Sequence, residues 1–407
     1  MKQEYTKNKL WTHATLLFLC IALVFFLVVS VSPALSHTVA RLTAKFFVMY
    51  CAGQSDKAAC YEDNVPRLLY IASVENVFGA VREIQKQDTS YRFCHVLGHQ
   101  IGVVEVRKDP MYWMDIMHKN PPDGLCSNGY IHGVIVQRFS QSVLSPAQID
   151  AIVPDLSRAC EASAGWNPSG LDKGMCYHGM GHVLTHMTGA DMPSAVSYCK
   201  EISIHGIEDY SQTCISGVFM QIFQPLEPED YALIAHLPVK PTKETLASFC
   251  GVYDTEEERS ACFGEGWPLF HEELKTAEGI KTFCTTSNVA STQKNCFMTV
   301  LSIGARGALS DPERQETICS TLPSAIGRQC LGILAVAFIE EDRTQVESAT
   351  AVCGRAPDTS KDYCYEYLLA RSDFTFGTDL RARDALCKAF PDSWRVRCEA
   401  GERPEIR

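Results

Sequence analysis

Ten cysteines in the C-terminal part of the chain form two series with one common period. The first series, spaced 34 or 35 residues apart, comprises Cys250, Cys284, Cys319, Cys353 and Cys387. The second series, spaced 34 residues apart throughout, comprises Cys262, Cys296, Cys330, Cys364 and Cys398. Two registered series that share a period of this length indicate tandem repeats.

Each repeat is predicted to be a pair of helices. A second-series cysteine opens an apolar segment, which we call helix A, and a polar turn and a helix B then lead to the next first-series cysteine. Ser310-Asp311-Pro312 is a helix start signal of this kind, with a capping side chain followed by proline in the first turn. Because such a pair cannot bury its apolar face alone, neighbouring pairs must stack. The fold class predicted is all-α, a disulfide-stapled helical-hairpin solenoid with a period of about 34 residues.

In period and helix-hairpin pattern, roughly residues 160–400 resemble Sel1-type and tetratricopeptide repeats. The signature residues of those families do not line up with this sequence, and the cysteine spacing differs. The resemblance therefore implies stacked helical hairpins and carries no activity with it.

The chain contains 19 cysteines, and only Cys20 precedes the exported region that is described next. An even number in an exported chain indicates a disulfide framework, in which the end of one helix B is bonded to the start of the next helix A. Cys94 and Cys126 lack such neighbours; they bond each other, stay free or bind metal, and we favour the bond. The predicted pairs are Cys51–Cys60, Cys94–Cys126, Cys160–Cys176, Cys199–Cys214, Cys250–Cys262, Cys284–Cys296, Cys319–Cys330, Cys353–Cys364 and Cys387–Cys398.

An uncharged run lies between Lys9 and Arg41. Its apolar part, residues 10–31, is long enough to cross about 30 Å of hydrocarbon. The sequence predicts a cytoplasmic tail at 1–9 and one transmembrane signal-anchor at 10–35. A signal peptide that is cleaved after Ser36 is the alternative. The protein is thus expected in the cell membrane, single-pass, with its C-terminal region extracytoplasmic, either periplasmic or at the cell surface.

Beyond the anchor, we divide the chain into a histidine-bearing helical region at 36–249 and the regular repeats at 250–407. The net charge is −11, without a cluster of lysine and arginine, which argues against a nucleic-acid partner. No P-loop, Rossmann fingerprint or GxSxG motif is present, so no nucleotide is expected. The expected partners are the membrane and, as an alternative role for the solenoid face, a protein or peptide.

Histidines concentrate at the starts of the three A helices that follow Cys94, Cys126 and Cys176. Histidines four residues apart line one helix face, and such a pair can hold one metal ion. Because equivalent A helices lie side by side in a stack, and glycines beside the histidines allow close approach, these side chains are predicted to reach one cleft. The predicted metal ligands are His95, His99, His132, His178, His182 and His186.

Imidazole ligands suit zinc, copper or iron, so the predicted cofactor is a divalent transition metal. The carboxylates nearest in sequence are Glu105, Asp109 and Asp115, too few for a carboxylate-bridged di-iron site. The sequence favours a membrane-anchored extracytoplasmic metal-binding protein or metalloenzyme. The alternative is a structural or interaction solenoid that binds a protein or peptide without metal, its histidines being part of the core.

Overall fold

The structure is a computed structural model, and it describes residues 33–91, 93–139, 143–163, 165–206, 208–225, 228–235, 237, 240–305 and 311–404. The predicted tail at 1–9, and the transmembrane segment at 10–35 except for its last three residues, lie outside this range. In the part that is described, no helix is long and apolar enough to cross a membrane.

Two compact units make up the chain, one up to residue 92 and one from Phe93 to Arg407. The first unit contains α1 (Pro33–Cys51), α2 (Lys57–Asn64) and α3 (Val74–Gln87), and α1 packs on α3. The N-cap side chains of Asp56 and Ser73 accept backbone N–H groups at the starts of α2 and α3. The disulfide Cys51–Cys60 joins α1 to α2.

The described residues of the second unit form helices and a short antiparallel ribbon of β1 (Ile204–His205) and β2 (Glu208–Asp209). Its A helices are α4 (His95–Lys108), α6 (Gly129–Phe139), α8 (Gly170–Met187), α10 (Ser211–Phe223), α13 (Glu256–Glu265), α15 (Ala290–Ala305), α17 (Ser324–Glu341) and α19 (Asp358–Phe376). The helices between and after them are α5 (Trp113–Met117), α7 (Pro146–Ala159), α9 (Met192–Ser203), α11 (Pro228–Ala235), α12 (Leu246–Cys250), α14 (Ala277–Cys284), α16 (Pro312–Thr321), α18 (Val346–Gly354), α20 (Leu380–Ala389) and α21 (Asp392–Glu399).

The A helices form a row in which each helix packs on the next one. This neighbour-to-neighbour packing is what stacked repeats require. In addition, the last A helix, α19, packs on α8, the third helix of the row. An open solenoid brings only adjacent repeats together, so this return contact is a feature that the repeat pattern did not predict.

Arg343, directly after α17, joins the late repeats to the histidine-bearing helices. Its guanidinium donates to the carbonyl of Pro122 at 2.6 Å, to Oγ of Ser169 at 2.8 Å and to Oδ1 of Asp172 at 2.7 Å. Asp172 also accepts from the backbone N–H of Ser169 in a capping box that starts α8. The C-terminal repeats therefore hold α8 by a buried ion pair at its N-terminus.

Nine disulfides lie in the described part of the chain, and they are the nine pairs that the sequence predicts. The start of helix A was predicted wrongly, however. Cys330 lies six residues inside α17, which begins directly after Pro323, and α19 and α21 likewise follow Pro357 and Pro391. The residue before a helix is extended, which proline favours, so the helices begin at the prolines rather than at the cysteines.

Candidate functional site

Glycines bring the backbones of four A helices into direct contact. A Cβ atom on Gly133 of α6 would lie 1.9 Å from the carbonyl oxygen of His99 in α4. A Cβ on Gly217 of α10 would lie 1.9 Å from the carbonyl oxygen of His178 in α8. No other residue type fits at such a distance, so the pairs α4/α6 and α8/α10 approach more closely than side chains would allow.

The two helix pairs are built alike. Gly129 faces the carbonyl of His95 in the first pair, as Gly217 faces that of His178 in the second. This contact superposes the pairs residue by residue. The corresponding residues are then His95 with His178, His99 with His182, and His132 with Met220. A thioether thus occupies the position where the first pair carries its third imidazole.

Four of the six predicted ligands are in ring contact, where α4, α6 and α8 meet. The ring centroid of His132 lies 4.9 Å from that of His95, 5.3 Å from that of His178 and 5.7 Å from that of His182. The rings of His178 and His182 are 5.0 Å apart. Three neighbouring helices of the row thus supply rings to one continuous cluster, which we call the histidine cluster. It also includes His99 of α4 and His186 of α8.

Hydrogen bonds orient three of these rings. Nδ1 of His182 lies 2.6 Å from Oε1 of Gln221, and Nε2 of His132 lies 2.8 Å from the carbonyl oxygen of Met175. Nε2 of His186 lies 2.9 Å from Oδ1 of Asp230 in α11. Each partner atom is an acceptor, so the facing ring nitrogen carries the proton and the opposite nitrogen of a neutral ring is left as a lone pair.

His178 has a different partner. Its Nε2 lies 3.1 Å from the sulfur of Met220, and the backbone of Thr213 also hydrogen-bonds the ring. Met220 is half-buried, and His178 is almost completely buried. An imidazole nitrogen and a thioether sulfur therefore face each other directly in the second helix pair.

Burial keeps four rings of the cluster neutral. Loss of hydration lowers the pKa of His99 to about 4 and, together with the neighbouring imidazoles, holds the pKa values of His132 and His178 well below the ordinary value. Burial also lowers the pKa of His182, although Gln221 and Asp230 oppose the shift. Neutral imidazole is the form that binds metal ions, so no proton has to be displaced at pH 7.

Some of the residues around the cluster were not predicted. Asp230 and Gln221 come from helices after the last histidine-bearing one, and only the packing brings them to the rings. Glu105, which stands near the cluster in sequence, pairs instead with Lys108 and Lys119. The sequence contained one indication of Gln221: in the alignment of the repeats, it takes the position that Gly133 has in α6.

The side chains of the cluster do not form a complete set of metal ligands as they are placed. Among the residues with described positions, no group of three or more His, Cys, Asp or Glu side chains is placed to hold a metal ion. Cys94 and Cys126 are bonded to each other and are therefore not ligands. The expectation of imidazoles that meet at a single point is thus met only in part: the rings are in contact, but their nitrogens do not converge.

Comparisons with known proteins do not indicate a family. No family model matches the chain, and neither a curated protein nor a solved structure matches it. The function is therefore inferred from the chemistry of the histidine cluster and from the disulfide framework.

Proposed function

We propose that this protein is an extracytoplasmic metal-binding protein whose histidine cluster holds a divalent transition metal ion, either zinc, copper or iron. The disulfide framework indicates an oxidising, extracytoplasmic location, because disulfides persist there and are rare in the cytosol. The metal is argued from the rings themselves.

The observation that carries the proposal is the orientation of the rings. Metal-binding histidines almost always donate the other ring N–H to a carboxylate, a carbonyl or a similar acceptor, which fixes the tautomer. His132, His182 and His186 each make such a bond, to Met175, Gln221 and Asp230. A single buried histidine would make such a bond in any case, so what supports a metal site is that three of them do so within one cluster.

The spacing of the rings also supports a shared ion. With metal–nitrogen bonds of about 2.05 Å in a tetrahedral site, the centroids of two imidazole ligands lie about 5 Å apart. The observed centroid distances within the cluster are 4.9 to 5.7 Å. The spacing of the rings would therefore not require a shift of the helices for binding.

His95 gives the ion a route into the cluster. It is half-buried, whereas His99, His132 and His182 are buried, and its ring contacts both His132 and the exposed Phe93. An ion would therefore meet His95 first and pass to His132. An entry path of this kind is one of the requirements for a metal site within a folded protein.

Metal analysis of the full chain, purified without a histidine tag, tests the proposal. The wild type should contain zinc, copper or iron in stoichiometric amount, and a His132→Ala/His182→Ala variant should contain almost none. His118→Ala is the matched control, because this partly buried histidine stacks on Trp166 away from the cluster. Circular dichroism of each variant establishes that it is folded.

A second readout does not depend on any variant. A ligand that binds only the folded state stabilises it, by about 2.7 kcal/mol when its free concentration is 100 times its Kd. Added zinc, copper or iron should therefore raise the melting temperature of the wild type, and a chelator should reverse the rise. If all three metals leave the melting temperature and the metal content unchanged, the histidines are core residues and the interaction solenoid is the better hypothesis.

We further propose that the N-terminal segment anchors the protein in the membrane. The helix α1 starts at Pro33 and continues through Ser36 to Cys51, so cleavage after Ser36 would cut within its first turn. We therefore expect an uncleaved anchor. Mass spectrometry of the mature protein and extraction of membranes with carbonate test this; a mature chain that begins at His37 would contradict it.

A further inference from the structure

Met220 places a thioether at the position where the other helix pair has an imidazole. In the superposition of the helix pairs, it takes the position of His132. Its sulfur lies 3.1 Å from Nε2 of His178, and the ring of His182 lies 5.0 Å from that of His178. One thioether and two imidazoles are thus gathered where α8 and α10 cross.

The charges near the cluster differ between its two ends. Asp230 bonds His186 and acts on His182 and His99, whereas the described polar neighbours of His178 and His132 are imidazoles, the thioether of Met220 and backbone groups. The cost of burying an ion rises with the square of its charge, so an end without a carboxylate favours a monovalent ion over a divalent one. The end at Asp230 favours a divalent ion for the same reason.

The donor atoms make the same distinction. Thioether sulfur is a soft ligand that selects Cu(I), while carboxylate and water suit harder ions. Thiolates, the usual soft ligands, are not present here, because Cys126, Cys176 and Cys214 beside the cluster are all in disulfides. A methionine is the soft donor that remains in an oxidising compartment.

We propose that His178 and Met220 form a Cu(I) site at the α8/α10 crossing. His182, which lies between the two ends of the cluster, is its third donor. This inference rests on the proposed function, since it adds a monovalent ion, Cu(I), to part of the same metal-binding cluster. The ion is bound as Cu(I) and no change of its oxidation state is required. Nε2 of His178 binds it as a neutral imidazole, with the ring proton donated to the backbone of Thr213.

The test compares the affinities for Cu(I) and Zn(II) of the wild-type full chain and of variants at two methionines. Cu(I), kept reduced with ascorbate, is titrated against the chelator bicinchoninate, and Zn(II) is titrated separately against a chromogenic chelator. We expect Met220→Leu to weaken Cu(I) binding by about tenfold or more, since even groups outside the ligand set contribute that much. Zn(II) binding should change by less than about twofold, because thioether is not among the zinc ligands. Met192→Leu, a similar exchange of a buried methionine in α9, should change neither.

Two additional measurements make the outcome specific. X-ray absorption of the Cu(I) form should contain a sulfur neighbour in the wild type and none in Met220→Leu. Met220→His, which recreates the arrangement at His132, should shift the preference from Cu(I) towards Zn(II). If the wild type binds metal but Met220→Leu keeps its Cu(I) affinity, the Cu(I) site is wrong and the metal-binding function stands. If the wild type binds Zn(II) or iron but no Cu(I), the Cu(I) site alone is wrong. If it binds no zinc, copper or iron, both proposals are wrong.

Discussion

Substitution of Gly181 by alanine tests the close approach of α8 and α10, on which the geometry of the cluster depends. An added Cβ would lie 2.0 Å from the carbonyl oxygen of Cys214 and 2.7 Å from the backbone nitrogen of Val218. A tight Cα–H···O contact is about 3.3 Å, so the helices would have to separate by about 1.3 Å. Backbone atoms form the obstacle, and no rotation of a side chain can remove it.

The expected cost follows from two opposing effects. Alanine in place of glycine within a helix stabilises by about 1 kcal/mol. Overpacking of a close-packed contact costs about 1–3 kcal/mol and exceeds this where backbone must move. The net loss should be about 1–2 kcal/mol, or a fall of roughly 2–8 °C in melting temperature for a unit of this size.

Gly174→Ala is the matched control in the same helix. Its added Cβ would meet nothing nearer than Phe374 at 3.7 Å, so it should be neutral or slightly stabilising. Thermal unfolding of both variants by circular dichroism gives the comparison. Because His178 and His182 flank Gly181, the Gly181→Ala variant should also lose affinity for metal. If Gly181→Ala melts at or above the temperature of Gly174→Ala, the helices do not approach as described.

Three other properties of the protein can be tested. Arg343→Ala should lower the free energy of unfolding, measured in urea, by about 3–5 kcal/mol, because it leaves the Asp172 carboxylate buried without its partner. The control Arg395→Ala, at an exposed ion pair, should lower it by less than about 1 kcal/mol. Equal losses would mean that Arg343 does not join the repeats. Reduction should lower the melting temperature strongly, since a bridge that closes about 15 residues stabilises by about 3 kcal/mol; an unchanged melting temperature in reductant would contradict the disulfide framework. The pKa of His99 lies near 4 in the folded protein and near 6.5 when unfolded, so the unfolded chain takes up this proton first as the pH falls. The contribution of His99 to the free energy of unfolding should therefore fall by about 3 kcal/mol between pH 6.5 and pH 4. A His99→Gln variant whose stability has the same pH dependence as the wild type would refute this.

The repeat pattern predicted the helical fold and the partners of the cysteines, because both depend on neighbours in the chain. A bridge such as Cys353–Cys364 closes 11 residues, and its two ends meet as soon as one helix B and one helix A form. Capping acts over the same short range, as at Asp311, whose side chain accepts the backbone N–H of Glu313 at the start of α16. The start of α17 was placed wrongly, since the apolar segment was given more importance than Pro323.

The sequence by itself also determined that the histidines would share helix faces, because a spacing of four residues is a property of the helix. Whether those faces would meet was decided by the tertiary structure. Gly133 and Gly217 set the distance between helices, and Arg343 and Asp230 reach the cluster region from elements far along the chain. Such contacts depend on the summed packing angles of several stacked helices. No local pattern encodes that sum, and for this reason the return of α19 to α8 became visible only in the fold.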